Sequence, residues 1–310
     1  LFPYTTLFRS KRTNQRRNYR NVSSQFGGIT MNALEIKNLT KTYPGFKLDN
    51  LNLVLPSGCI MGLVGVNGAG KSTTIKLILG MTAADSGSIS ILGKDSRENI
   101  SLLKQDIGVV PDEIGLPGCM TAVQTGKVMR ATFNNWDDSL YGETLRKLNL
   151  PLDKPFKDFS RGMKMKLGIA VALSHHPKLL ILDEATSGLD PLVRDEVVDI
   201  FGEFTRDENH SVLISSHIVS DLEKICDYIA FLDNGKLILC DEKDALLERY
   251  GLIQCTKDEL NSLQPSAIIG SKSSPYGEKA LVLREALNRN MTVSPVSIED
   301  LFIYMVKGEN

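Results

Sequence analysis

The 310 residues are 42% hydrophobic, enough to bury a sizeable core in one large or two ordinary domains, which excludes wholesale disorder. With 36 basic and 37 acidic residues the net charge is -1, so no general electrostatic pull toward nucleic acid or a strongly acidic partner exists. That balance conceals a division: residues 1–30 hold six basic residues (Arg9, Lys11, Arg12, Arg16, Arg17, Arg20) and no acid, while residues 31–310 hold 30 basic and 37 acidic ones, a net -7.

The basic head reads as a disordered, non-native extension, with Met31 the expected start of the patterned chain. An organelle transit peptide, or a basic arm for anionic lipid or nucleic acid, is the other reading of its composition. From Leu34 the chain alternates, in LEIKNLTKTY and LDNLNLVL, as half-buried antiparallel strands do. The apolar run from Cys59 to Val64 meets a glycine cluster, and from Lys71 the spacing of Ile75, Ile78 and Leu79 predicts a helix. Residues 121–150 read as polar helices, separated by turn signals at Pro151 and Pro155 from a helix over about 161–175. KLLILD, SVLIS and DYIAFLD are apolar strands alternating with helices at about 192–206 and 218–225, which predicts a parallel sheet covered on both faces.

After Gly235 come a KLILCD strand and a DALLERYG helix ended by Gly251, then a stretch rich in Ser, Gly and Pro. A last helix is expected at Ser297, with Asp300 at capping spacing and Ile298, Leu301, Phe302 and Met305 on one face, covering its own core or serving as a contact. The expected organisation is an extension over 1–30, a nucleotide-binding domain over 31–240 with a helical subdomain over about 112–176, and an accessory segment over 241–310. The five cysteines are scattered without a C-x-x-C pair, so neither a disulfide framework nor a zinc site is expected. No stretch reaches the roughly 18 apolar residues that cross a bilayer, so work at a membrane needs another chain to supply the span.

Gly65-Val66-Asn67-Gly68-Ala69-Gly70-Lys71-Ser72 fits G-x-x-x-x-G-K-[ST], with a strand before it and a helix, beginning through Thr73, after it. Glycines let such a loop wrap a phosphate chain, backbone N–H groups and the helix N-terminus face the anion, Lys71 adds a full charge, and Ser72 supplies a hydroxyl for magnesium. The run Leu179 to Leu182 ends in Asp183 and Glu184. Asp183 is expected to hold magnesium, directly or through water, and Glu184, on the opposite side, to polarise a water for attack on a γ-phosphate. His217, after the strand 211–215, is a candidate donor to that phosphate. Tyr43 offers an aromatic face for a purine, or packs on the β-region.

These residues resemble the nucleotide-binding subunits of ATP-binding-cassette transporters over about residues 33–240. The resemblance implies an ABC-type P-loop NTPase fold, α/β, with a mostly parallel sheet core, an N-terminal antiparallel β-region, a helical subdomain and a small C-terminal module. Phe159-Ser160-Arg161-Gly162-Met163 stands at the place of the family signature, with Ser160 lying 23 residues ahead of Asp183. The family pattern ends Ser-Gly-Gly-Gln, so Arg161 and Met163 depart from it. By the resemblance, Ser160 and the amides near Gly162 bind the γ-phosphate held by a second cassette, and Gly188 and Asp190, in Ser187-Gly188-Leu189-Asp190, lie along the dimer interface. After Ile107-Gly108-Val109-Val110-Pro111 the family places a glutamine that touches magnesium and the attacking water; here it is Asp112. A carboxylate coordinates magnesium but does not donate as an amide does.

The implied function is the ATP- and Mg2+-using subunit of a transporter, closing head to tail with a second copy or a homologous cassette. It drives transport, with export favoured, through a separate permease at the cytoplasmic face of the membrane. The alternatives are a soluble cassette ATPase in translation or DNA maintenance, and an ATP-sensing module without useful turnover. Only 87 residues separate Ser72 from Ser160, with no sustained heptads, which speaks against a DNA-maintenance form.

Overall fold

A computed structural model describes residues 31–275, 277–287 and 291–307. The basic head, and the expectation attached to it, lies outside the described residues.

The alternating N-terminal segments pair as an antiparallel hairpin of β1 (Asn32–Tyr43) and β2 (Phe46–Pro56). Then follow β3 (Ile60–Val64) and α1 (Lys71–Ile78). β4 (Ser86–Ile91) and β5 (Lys94–Asp95), not anticipated from the sequence, extend the first sheet to the order β2-β1-β4-β5. After α2 (Ser96–Leu103) comes β6 (Ile107–Val110). The expected helical region holds α3 (Ala122–Thr132), α4 (Asp138–Lys147) and α5 (Arg161–Leu173). Thr121 and Gln124 form a capping box at α3, and Asp137 caps α4, so polar side chains at each N-terminus fix where these helices begin.

β7 (Leu179–Asp183), α6 (Pro191–Phe204), β8 (Ser211–Ser216), α7 (Val219–Ile225), β9 (Tyr228–Asp233) and β10 (Lys236–Glu242) complete the central sheet. Its order is β10-β9-β3-β8-β7-β6, parallel throughout except for β10, which runs antiparallel to β9. Continuous apolar runs make sense in such a sheet because both faces are covered. Along β7, Leu180 and Leu182 enter a core shared with the helices, while Leu179 and Ile181 enter a second core under the antiparallel sheet. Five parallel strands all end on one side, so the loops after β3, β6, β7 and β8 converge there.

Beyond the central sheet the structure departs from the sequence reading. The helix expected through Gly251 stops earlier, as α8 (Lys243–Arg249), and Gly251 lies inside β11 (Tyr250–Cys255). That glycine allows a close approach, because a Cβ there would collide with Val293. After α9 (Lys257–Ser262), the Ser-, Gly- and Pro-rich stretch contains β12 (Ile268–Ser274) and β13 (Gly277–Leu283), forming an antiparallel sheet of order β11-β13-β12. α10 (Ile298–Lys307) places Ile298, Leu301 and Phe302 in the same core as the helices of the central sheet, with Phe302 edge-on to Phe231 at 5.3 Å. No helix among the described residues is long and apolar enough to cross a membrane.

Candidate nucleotide site

The loop between β3 and α1 is held from below. Gly70 has φ of 112°, a left-handed conformation natural to glycine, and caps α1 without a side chain; the first turn of the helix carries no acid. Other helices, among them α4, α5, α6 and α9, have first-turn amides capped by Ser, Thr or Asp side chains. The N-terminus of α1 thus keeps its amides and its positive dipole end open to an anion. The Gly235 N–H donates to the Ala69 carbonyl at 2.9 Å, pinning the loop to the turn after β9.

Lys71 is 5% exposed, and a buried ammonium must be paired. Its three donors find the carbonyl of Gly65 at 2.8 Å, that of Val66 at 3.4 Å, and Glu184 Oε1 at 3.1 Å. Glu184 is the first residue past β7 and has φ of 52°. Its amide donates to the Ser215 carbonyl at 3.2 Å and to Ser215 Oγ at 3.1 Å, while that hydroxyl donates to Asp183 Oδ1 at 2.5 Å. One serine of β8 therefore fixes both carboxylate residues. The second oxygen of Glu184 lies 2.7 Å from His217 Nδ1, a bond in which the imidazole N–H donates. A neutral ring that donates through Nδ1 carries no proton on Nε2, so donation from Nε2 to a phosphate needs the imidazolium or a turned ring.

These groups line an open cavity of about 590 Å³. It brings together Val66, Asn67, Gly68, Gly70, Lys71, Ser72, Thr73, Asp112, Glu184 and His217 of the residues expected from the sequence. Gly65 and Ala69 shape the loop from behind: a Cβ on Gly65 would stand 2.6 Å from the Leu232 carbonyl. Asp183 stands at the strand end, half-buried, and is not part of the lining. Tyr43 does not reach the cavity. It is an exposed ring, with Lys41 above it and its hydroxyl 3.5 Å from Thr82 Oγ1, and Phe46 lines the cavity in its place. Ser160 and Asp190 are the N-caps of α5 and α6, accepting from Met163 N at 3.2 Å and Val193 N at 3.1 Å, and Gly162 packs near Val193. None of these three is in the lining.

Sequence reasoning missed Phe46, Ser187 and the lining role of Arg161. It also missed Arg194, which donates to the Leu189 carbonyl and pairs with buried Asp221 on α7, both at 3.3 Å. The spacing of Phe46, three residues past Tyr43 across the hairpin turn, was the available signal.

A family model described as "ABC transporter" matches residues 48–187. The lantibiotic transport ATP-binding protein SrtF of Streptococcus pyogenes is 41% identical over 215 residues, covering 68% of this chain and 91% of that protein. The Nod factor export ATP-binding protein I of Sinorhizobium fredii is 32% identical over 267 residues, covering 82% of this chain and 75% of that protein. A solved structure described as the ATP binding subunit of an ABC transporter superposes with a TM-score of 0.63 at 29% identity, covering 69% of this chain and 91% of that one. Likeness of this depth means that the chain belongs to the ABC transporter family as one of its ATP-binding, ATP-hydrolysing subunits.

Proposed function

We propose that this chain powers export through a separately encoded permease, from the cytoplasmic face of the membrane, by closing head to tail with a second cassette around two Mg-ATP molecules. ATP-binding subunits of the family dimerise and work with a permease, and one relative is named for export. The observation that carries the reading is Glu184, held between Lys71 and His217 within the phosphate-loop cavity.

In this reading the triphosphate lies along the loop from Asn67 to Gly70 and the uncapped first turn of α1, with Lys71 supplying the charge that now pairs with Glu184. Ser72, Asp112 and Asp183 offer hard oxygen donors, the set that magnesium prefers, and the ion when bound neutralises phosphate charge. Glu184 takes up the proton of the attacking water once Lys71 turns toward phosphate, and His217 holds the second carboxylate oxygen in place. Ser160 and the amides near Gly162 meet the nucleotide of the opposite cassette, with Gly188 and Asp190 beside it. The segment 241–310 is read as an accessory module to the cassette of 31–240.

Glu184→Gln keeps the shape of the site but removes the base. It is expected to bind Mg-ATP and accumulate as a closed dimer, seen by size-exclusion chromatography with light scattering. A variant that stays monomeric at saturating Mg-ATP would count against head-to-tail closure.

A further inference from the structure

Two of the three positions where the chain departs from the family pattern, Arg161 and Asp112, face each other. Arg161 Nη2 lies 3.1 Å from Asp112 Oδ1, both side chains being about half exposed at the cavity. On its other side the guanidinium lies against Gly188, where a Cβ would stand 3.1 Å from both Cζ and Nε of Arg161. One planar cation therefore touches the loop after β6 and the loop after β7 from the first residue of α5.

An exposed ion pair adds little to stability, because water screens it and both side chains lose freedom. Its effect on geometry is greater, since the rigid fork of arginine fixes the orientation of a carboxylate. Charge matters too. Asp112 and Glu184 line the same cavity, where a triphosphate would add further negative charge, and Arg161 supplies a cation beside Asp112.

We propose that Arg161 is a positioning residue for ATP hydrolysis: it holds Asp112 and the loop of Ser187 to Asp190 in register, so that Arg161 and Asp112 act as one compensated pair. This rests on the function proposed above. Arg161 also directly follows Ser160, so the pair ties the carboxylate at the chain's own cavity to the loop offered to the opposite cassette.

The test is a double-mutant cycle in the full chain: Arg161→Ala, Asp112→Asn, both together, and Arg161→Lys. Steady-state hydrolysis gives kcat and KM; binding of a fluorescent ATP analogue against Mg2+ concentration, in a Glu184→Gln background, gives a second reading. Each single substitution is expected to lower kcat roughly ten- to a hundredfold with a smaller change in KM. The double variant should be no worse than the poorer single one. Arg161→Lys should recover part of kcat, since it keeps charge without the fork. Arg161→Ala should shift the Mg2+ midpoint upward, with no further shift on adding Asp112→Asn. Losses that multiply to within about twofold, or a wild-type rate in either single variant, overturn the pairing. Absence of hydrolysis by the wild-type chain with its permease would instead sink the proposed function.

Discussion

Glu184 leaves β7 with φ of 52°, in a region that costs a non-glycine residue of order 1–3 kcal/mol and persists only where surroundings impose it. Here they are the two bonds to Ser215 and the ion pair with Lys71. The sequence shows an acid at a strand end, but not that the backbone turns left-handed there, because the restraint comes from a strand 31 residues away. The aromatic neighbour of the site shows the same limit. Tyr43 and Phe46 flank one turn, and only the hairpin register decides which ring reaches Gly70. Phe46→Ala is therefore expected to weaken binding of a fluorescent ATP analogue by about 1–3 kcal/mol, the usual worth of an aromatic stacked on a base. Tyr43→Ala should leave Kd within roughly twofold. The reverse pattern in a titration would return the stacking role to Tyr43.

At the scale of elements, the loop from Gly65 to Ser72 was legible because its chemistry is local: glycines, lysine and hydroxyl act within a few residues of one another. The pair of Arg161 and Asp112 joins residues 49 apart and was not legible. β12 and β13 escaped notice for another reason, since Ser and Gly in Ser271 to Gly277 read as loop until β11 and β13 supply a pairing edge. Contacts of this kind also govern how the helical region is fastened. His175, just past α5, is buried against the Ile107 carbonyl at 3.1 Å and stacks on Phe133 at 3.9 Å. Burial pushes its pKa below the ordinary 6.5, outweighing the carbonyl bonds that favour charge. Because the unfolded chain takes up a proton there before the folded chain does, this residue's stabilising share is complete above about pH 6.5. It is lost as pH falls from there toward the lowered folded value, at no more than about 1.4 kcal/mol per pH unit. In denaturant melts between pH 7.5 and 5, His175→Gln should show a shallower fall in stability than the wild type. Equal slopes would assign the acid sensitivity elsewhere.

For the molecule as a whole, the sequence suggests a boundary near residue 240, yet the apolar stripe of α10 is spent on the central sheet. Ile298 and Leu301 are fully buried, Phe302 packs on Phe231 of β9, and the amide of Ile298 donates to Glu223 Oε2 on α7 at 3.3 Å. Burying each large apolar side chain contributes about 1.5–3 kcal/mol, so losing three of them is comparable to the whole net stability of many domains. Phe302→Ala alone should cost about 3–5 kcal/mol in a denaturant melt. Ending the chain after Glu242 should lower Tm further and expose Phe231, read by increased binding of a hydrophobic dye. The effect should extend to catalysis. α7 begins two residues past His217, and Lys243 Nζ donates to the Glu223 carbonyl at 2.9 Å, so the same helix anchors both the C-terminal segment and the histidine loop. Loosening it should reduce kcat for ATP while leaving nucleotide affinity, set by the loop after β3, nearly unchanged. A chain of residues 31–242 with unaltered Tm and kcat would instead mark the C-terminal segment as an independent domain.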